Sequence, residues 1–160
     1  MDILEFLKSL FFGMINLFKP KSKLRIEVIH ASAKTFPTVF YEEYDPITGD
    51  VVDSDIGYTT NFEINLKVWN KGEGDTSIEK ALLYINGKNG KIVCKPRNEI
   101  SNQIKSMHPP KSYKIIFNAG KYYFSNKDNP IILKIKDMQT FYSINKRINI
   151  KDHIVEEEFG

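Results

Sequence analysis

From Leu24 onward, apolar residues recur at every second position, and this alternation constrains the chain more than any other feature. Leu24, Ile26, Val28 and His30 alternate with Arg25, Glu27, Ile29 and Ala31, which predicts an edge strand with one buried side. In Phe62–Trp69 the residues Phe62, Ile64, Leu66 and Val68 face one way, and Glu63, Asn65, Lys67 and Trp69 the other. Asn70-Lys71-Gly72-Glu73-Gly74-Asp75 follows as a turn of residues that tolerate positive φ. The chain resumes as a strand at Ile78–Ile85, and Asn86-Gly87-Lys88-Asn89-Gly90 is a hairpin signal leading to a short strand, Ile92-Val93-Cys94, ended by Pro96. Arg97–Pro110 is irregular, with a helical turn expected around Glu99–Lys105. Tyr113–Phe117, Lys121–Phe124, Ile131–Lys136 and Thr140–Ile150 are further strands. Seven or more short strands without strand–helix–strand alternation predict a sandwich or barrel rather than a parallel α/β sheet.

The segment before this body has a different period. Residues Asp2–Lys19 predict a helix that Pro20 stops. At about 100° per residue, Ile3, Leu4, Phe6, Leu7, Leu10, Phe11, Met14, Ile15, Leu17 and Phe18 share one face. Asp2, Glu5, Lys8, Ser9, Gly13, Asn16 and Lys19 share the other, and Phe12 is the only large apolar residue among them. Such a face must be buried against something. Sixteen helical residues span only about 24 Å, short of a ~30 Å hydrocarbon core, so lying in the membrane interface fits better than crossing it. The acidic start (Asp2, Glu5) and the basic flank Lys19, Lys21, Lys23 and Arg25, without a small-residue cleavage site, argue against a secretory leader. That flank favours anionic headgroups and the cytoplasmic leaflet. The docking residues are therefore Ile3, Phe6, Leu7, Leu10, Phe11, Met14, Leu17, Phe18, Lys19, Lys21 and Lys23. The same face equally suits packing on the protein's own body or pairing with a second copy.

Residues 62–78 and the later strands support a resemblance. Leu66-Lys67-Val68-Trp69-Asn70-Lys71-Gly72, the polar turn, and Thr76-Ser77-Ile78 entering the next strand resemble microbial immunoglobulin-like sandwich modules of the cell-adhesion-related type. Pro109-Pro110 before Tyr113–Phe117, and Pro130–Asp137, are similar to the later strands of such modules. The resemblance spans about 62–150. It implies a scaffolding or binding role, transfers no catalytic residue, and makes Trp69 a central core residue. The chain departs from it in an acidic insert at 37–60 and in lacking the cysteine pair of antibody-type domains.

The expected organisation is thus an amphipathic helix (1–20), an antiparallel immunoglobulin-like sandwich (24–152) with an acidic hairpin insert at 37–60, and a flexible tail (153–160). Within the insert, Glu42, Glu43, Asp45, Asp50, Asp53 and Asp55 form the candidate acidic binding surface, around an expected Asp45–Asp50 turn. Asp53-Ser54-Asp55-Ile56-Gly57 fails the spacing of a calcium loop, so no metal is assigned. Cys94 reads as a small buried strand residue, and His30, His108 and His153 have no zinc spacing. No nucleophile elbow and no phosphate-binding loop is present in the sequence, and Lys88, Lys91, Lys95 and Arg97 read as a solvated hairpin face. With twenty lysines to three arginines at scattered, strand-like spacing, a specific nucleic-acid reader is not expected. The expectation is a non-enzymatic module without a cofactor, recruited to a membrane surface or a protein partner at the cytoplasmic face of the membrane or in the cytoplasm. The alternative is a soluble homo-oligomer that binds a ligand, or carries an enzymatic activity, at the 37–60 insert.

Overall fold

The computed structural model describes residues 2–17, 21–87, 90–98, 100 and 103–157. It is an all-β sandwich preceded by one helix, α1 (Ile3–Leu17). One sheet contains β1 (Leu24–Tyr44), β2 (Val51–Asn70), β6 (Lys111–Lys121) and β9 (Asp152–Val155), in the order β6-β2-β1-β9. The other contains β3 (Thr76–Gly87), β4 (Gly90–Cys94), β7 (Ile131–Asp137) and β8 (Ser143–Ile148), in the order β4-β3-β7-β8. β5 (Gln103–Ile104) pairs with the start of β3.

The period-two pattern places the core where alternation requires. Phe62, Ile64, Leu66 and Val68 of β2 are fully buried, as are Ile115 and Phe117 of β6. They meet Leu83 and Ile85 of β3 and Ile131, Leu133 and Ile135 of β7 across the interface of the two sheets. Each such side chain contributes about 1.5–3 kcal/mol relative to exposure. Phe124, on the coil after β6, stands edge-on to Phe62 at 5.5 Å, a favoured aromatic geometry.

Several expectations require correction. Trp69 is not central: it lies on the outer face of β2, half-buried and outside the core, because its register parity with Glu63 and Lys67 points it away. Phe62, Phe117 and Phe124 fill the position assigned to it. Leu24–Ala31 is the first part of a longer, 21-residue strand; that part lies at a sheet edge as expected, since β9 pairs with β1 only over Ser32–Thr35. The β1/β9 pair is parallel, Ser32–Thr35 against Asp152–Val155, so the sandwich is not wholly antiparallel. β9 also places His153–Val155 inside a sheet, not in a flexible tail. The ion pairs Lys34–Glu156 (2.8 Å) and His30–Asp152 (3.5 Å) reinforce that edge. Gln103–Ile104 forms a strand pairing with Ser77 and Thr76, not a helical turn. Tyr122–Phe124 lies beyond the end of β6, and β8 begins only at Ser143.

The Asn70–Asp75 segment carries the chain between the two sheets. Its glycine requirement comes from close approach, since neither Gly72 nor Gly74 has positive φ. A Cβ on Gly72 would lie 2.2 Å from the Lys21 carbonyl oxygen and 2.5 Å from the Lys23 nitrogen. Gly72→Ala is accordingly expected to push the Lys21–Lys23 segment off its seat at a cost of about 2–3 kcal/mol. Urea unfolding, with tryptic cleavage at Lys21 and Lys23 as a local readout, measures this; a wild-type profile would refute the packing argument.

At the other end of the core a polar chain links β2, β1 and β9 of the first sheet. The Thr60 hydroxyl donates to the Tyr122 carbonyl (2.9 Å), so it accepts from Thr35 Oγ1 (2.8 Å). Thr35 Oγ1 in turn accepts from His153 Nε2 (2.8 Å), which fixes the neutral tautomer as Nε2–H. The ring stands edge-on to Phe124 at 5.1 Å. Burial pushes this imidazole below its ordinary value of 6.5. The native state therefore prefers the neutral ring, and the unfolded chain takes up the proton first as pH falls. The contribution of His153 is complete above 6.5 and declines as pH drops through the lower folded value. The urea midpoint should fall more between pH 7 and pH 5 in wild type than in His153→Gln, which keeps a donor without titrating; equal slopes would contradict this.

Candidate docking helix, latch and acidic ribbon

Every residue from Asp2 to Phe11 is exposed, and none of them belongs to the core. Ile3, Phe6, Leu7, Leu10 and Phe11 lie between 49% and 76% exposed, an unusually continuous apolar stripe for a soluble surface. Met14 and Leu17 fall within α1, while Phe18 and Lys19 lie outside the described residues. Lys21 and Lys23 are exposed. Among the described residues, no helix is long and apolar enough to cross a membrane.

From Lys21 the chain is tightly seated. Ser22 is buried, and its hydroxyl donates to Asp137 Oδ2 at 2.7 Å. Asp137, itself buried, also accepts from Thr76 Oγ1 (2.5 Å) and from the Gln139 backbone (2.9 Å). The Ser22 backbone donates to the Gln139 side chain. Buried Asn70 uses its amide in full: Oδ1 accepts from Lys23 N and Gly72 N, both at 2.9 Å, while Nδ2 donates to the Gly74 and Ile104 carbonyls. Backbone bonds from Lys71 to Lys23 (2.8 Å) and from Glu73 to Lys21 (3.1 Å) complete the latch. Satisfying buried groups this fully makes the attachment point part of the rigid body. The sequence reading did not find Ser22, Asn70 or Asp137 as a unit. The three lie far apart in the chain, and each alone resembles an ordinary turn residue.

The acidic segment is a hairpin, as expected. It is the far half of β1 and β2, paired from Pro37↔Tyr58 to Tyr44↔Val51 and closed by the Asp45–Asp50 turn. Asp45 Oδ1 accepts from Ile47 N (2.8 Å), and Gly49 takes φ +75°. β9 covers β1 only to Thr35, and β6 covers β2 only to Thr59. Beyond these points the ribbon has two open edges among the described residues. The register sets Glu43 opposite Asp53, Glu42 opposite Ser54 and Tyr41 opposite Asp55. Asp55 is paired with Lys121 Nζ at 2.6 Å. The Tyr41 hydroxyl donates to Glu43 (3.2 Å) and the Tyr44 hydroxyl to Glu42, a bond that raises the Tyr44 phenol above its ordinary range. Among the described residues, no group of three or more His, Cys, Asp or Glu side chains is placed to hold a metal.

Cys94 is buried opposite Leu83, and burial pushes its thiol up to about 11. The thiolate that nucleophilic chemistry needs is thereby disfavoured. Antiparallel pairing sets Lys80 opposite Lys136, with Lys134 two residues away, and a surface cavity of about 340 Å³ is lined by all three with Tyr84 and Phe141. Strand pairing thus gathers lysines on one sheet face, where Lys136 is ion-paired with Glu79 at 3.5 Å. Lys91 stands over the Tyr84 ring at 4.2 Å, extending that face onto β4.

No protein-family model, curated protein or solved structure matches the chain. The fold and its surface features therefore carry the functional reading alone.

Proposed function

We propose that this chain is a non-enzymatic interaction module, recruited through the apolar face of α1 to a membrane surface on its cytoplasmic side. The observation carrying this reading is that six large apolar side chains of α1 stand in solvent, while Ser22 and Lys23, a few residues beyond the helix, are locked to the sandwich. A helix tethered in that way transmits its own attachment to the whole body. The 15-residue helix is about 22 Å long, too short to span and suited to lying in the interface. The sandwich is the scaffold. Its strand order, β6-β2-β1-β9 facing β4-β3-β7-β8, contains the A-B-E against C′-C-F-G arrangement of immunoglobulin-type domains with β9 added parallel to β1, which supports the immunoglobulin-like module reading. The acidic ribbon, with open edges away from the helix, suits a basic extended partner that adds as a strand.

Flotation of the full chain with phosphatidylcholine–phosphatidylserine vesicles tests this function. The protein is expected in the vesicle fraction. Recovery entirely in the soluble fraction, as a defined multimer, would replace membrane recruitment by helix-mediated self-association.

A further inference from the structure

The end of the sandwich where the helix joins it has an unexplained surface. Met107, Met138, Phe141 and Tyr142 stand at or beside it on two loops and lie between 54% and 79% exposed, Phe141 at the margin of the outer sheet face with Lys136 Nζ 5.3 Å from its ring. The loops converge on the latch: Met107 N donates to the Asn70 carbonyl (3.1 Å), Met138 N to the Ser77 carbonyl (3.0 Å) and Phe141 N to the Asp137 carbonyl (2.9 Å). Beside the second loop lies a cavity of about 500 Å³, lined in part by Lys21, Leu24, Gly72, Tyr142 and Ile144. Met107 and Phe141 have φ of 60° and 61°. Bulky side chains rarely adopt this left-handed backbone, and its persistence at two exposed apolar tips points to a use other than folding.

Charge is divided along the same axis. Lys21, Lys23, Lys71, Lys105 and Lys111 are exposed at this end, against exposed Glu73 and Asp75. The opposite end holds the six ribbon carboxylates, and no lysine or arginine occurs from residue 41 to 60. Near a negatively charged surface such a distribution turns the lysine end inward.

We infer that this end is a second membrane-contact surface, seated directly on an anionic phospholipid bilayer. Phe141, Tyr142, Met107 and Met138 enter the interface, the lysines meet headgroups, and the sandwich stands end-on with its acidic ribbon directed away from the membrane. The inference rests on the membrane reading of α1 and adds to it an orientation and a lipid preference. Exposed aromatic and thioether side chains rimmed by lysines are the composition that an interfacial region accepts. Continuity with α1 places the surface where a membrane-bound helix would bring it.

The test uses the full chain carrying an environment-sensitive dye at Tyr142→Cys or, separately, at Ile47→Cys on the ribbon turn. Phosphatidylcholine–phosphatidylserine vesicles should shift the emission at position 142 to the blue and leave position 47 unchanged. Met107→Ser/Phe141→Ser should weaken vesicle partitioning by about tenfold with α1 intact. Phe141→Gly, which suits the backbone, should weaken it in the same direction without a folding defect. Lys71→Glu/Lys105→Glu should erase most of the preference for phosphatidylserine over phosphatidylcholine alone. If wild type floats but position 142 stays aqueous and the loop variants float equally, α1 alone is the anchor and the inference falls while the helix reading stands. If wild type binds neither vesicle, both fall together. If the loop variants instead abolish self-association without lipid, the surface is an interface between copies and the inference is overturned.

Discussion

Phe6→Asp/Leu10→Asp is expected to abolish vesicle binding while leaving the sandwich as stable as wild type. Both side chains stand near half exposure on the apolar stripe, with Ile3, Leu7 and Phe11 beside them. Full burial of one such side chain is worth about 1.5–3 kcal/mol, so losing two and placing two carboxylates in the interface should weaken partitioning by more than about a hundredfold. The body should not respond, because no residue from Asp2 to Phe11 lies in its core. Its urea midpoint should stay within the ~0.5 kcal/mol typical of surface substitutions. Loss of stability comparable to a core truncation would mean that the stripe packs on the sandwich.

Asp137→Ala is expected to have the largest effect on the fold outside the apolar core. The carboxylate accepts from Ser22 Oγ, Thr76 Oγ1 and Gln139 N at 2.5–2.9 Å. Alanine would leave these donors facing a void, at roughly 1–3 kcal/mol for each one that water fails to reach. A total near 3 kcal/mol is expected in urea unfolding. Because Ser22 is one of the donors, the loss should be accompanied by faster amide exchange at residues 21–24. Asp137→Asn, which keeps one acceptor oxygen, should recover part of both effects. A destabilised body whose residues 21–24 exchange at the wild-type rate would show that Asp137 does not hold the latch.

The core strands were readable from local pattern because burial on a pleated sheet repeats every two residues. Phe62–Val68 and Ile131–Ile135 needed nothing else. The Asp45–Asp50 turn was equally legible, since Pro46 and Gly49 specify backbone angles by their own chemistry. What failed depended on contacts distant in sequence. β9 forms because its short apolar stretch finds an open edge at Ser32–Thr35, and no local signal at residue 153 announces that edge. The resemblance made Trp69 central, whereas its parity with Lys67 already assigned it outward. Among the site residues, the helix stripe and ribbon carboxylates could be named from sequence. The Ser22–Asp137 contact, 115 residues apart, and the gathering of Met107, Met138, Phe141 and Tyr142 at one end required the topology.

Hydrogen exchange across the full chain, with and without anionic vesicles, tests most directly whether the α1 stripe is an external docking surface. In the free monomer, amides of residues 3–17 should exchange fast while those of β2, β3 and β7 are protected. Added vesicles should slow residues 3–17 strongly and leave the central strands unchanged. Strong protection of residues 3–17 in the lipid-free monomer would contradict the account, because the stripe would then already be buried against its own domain.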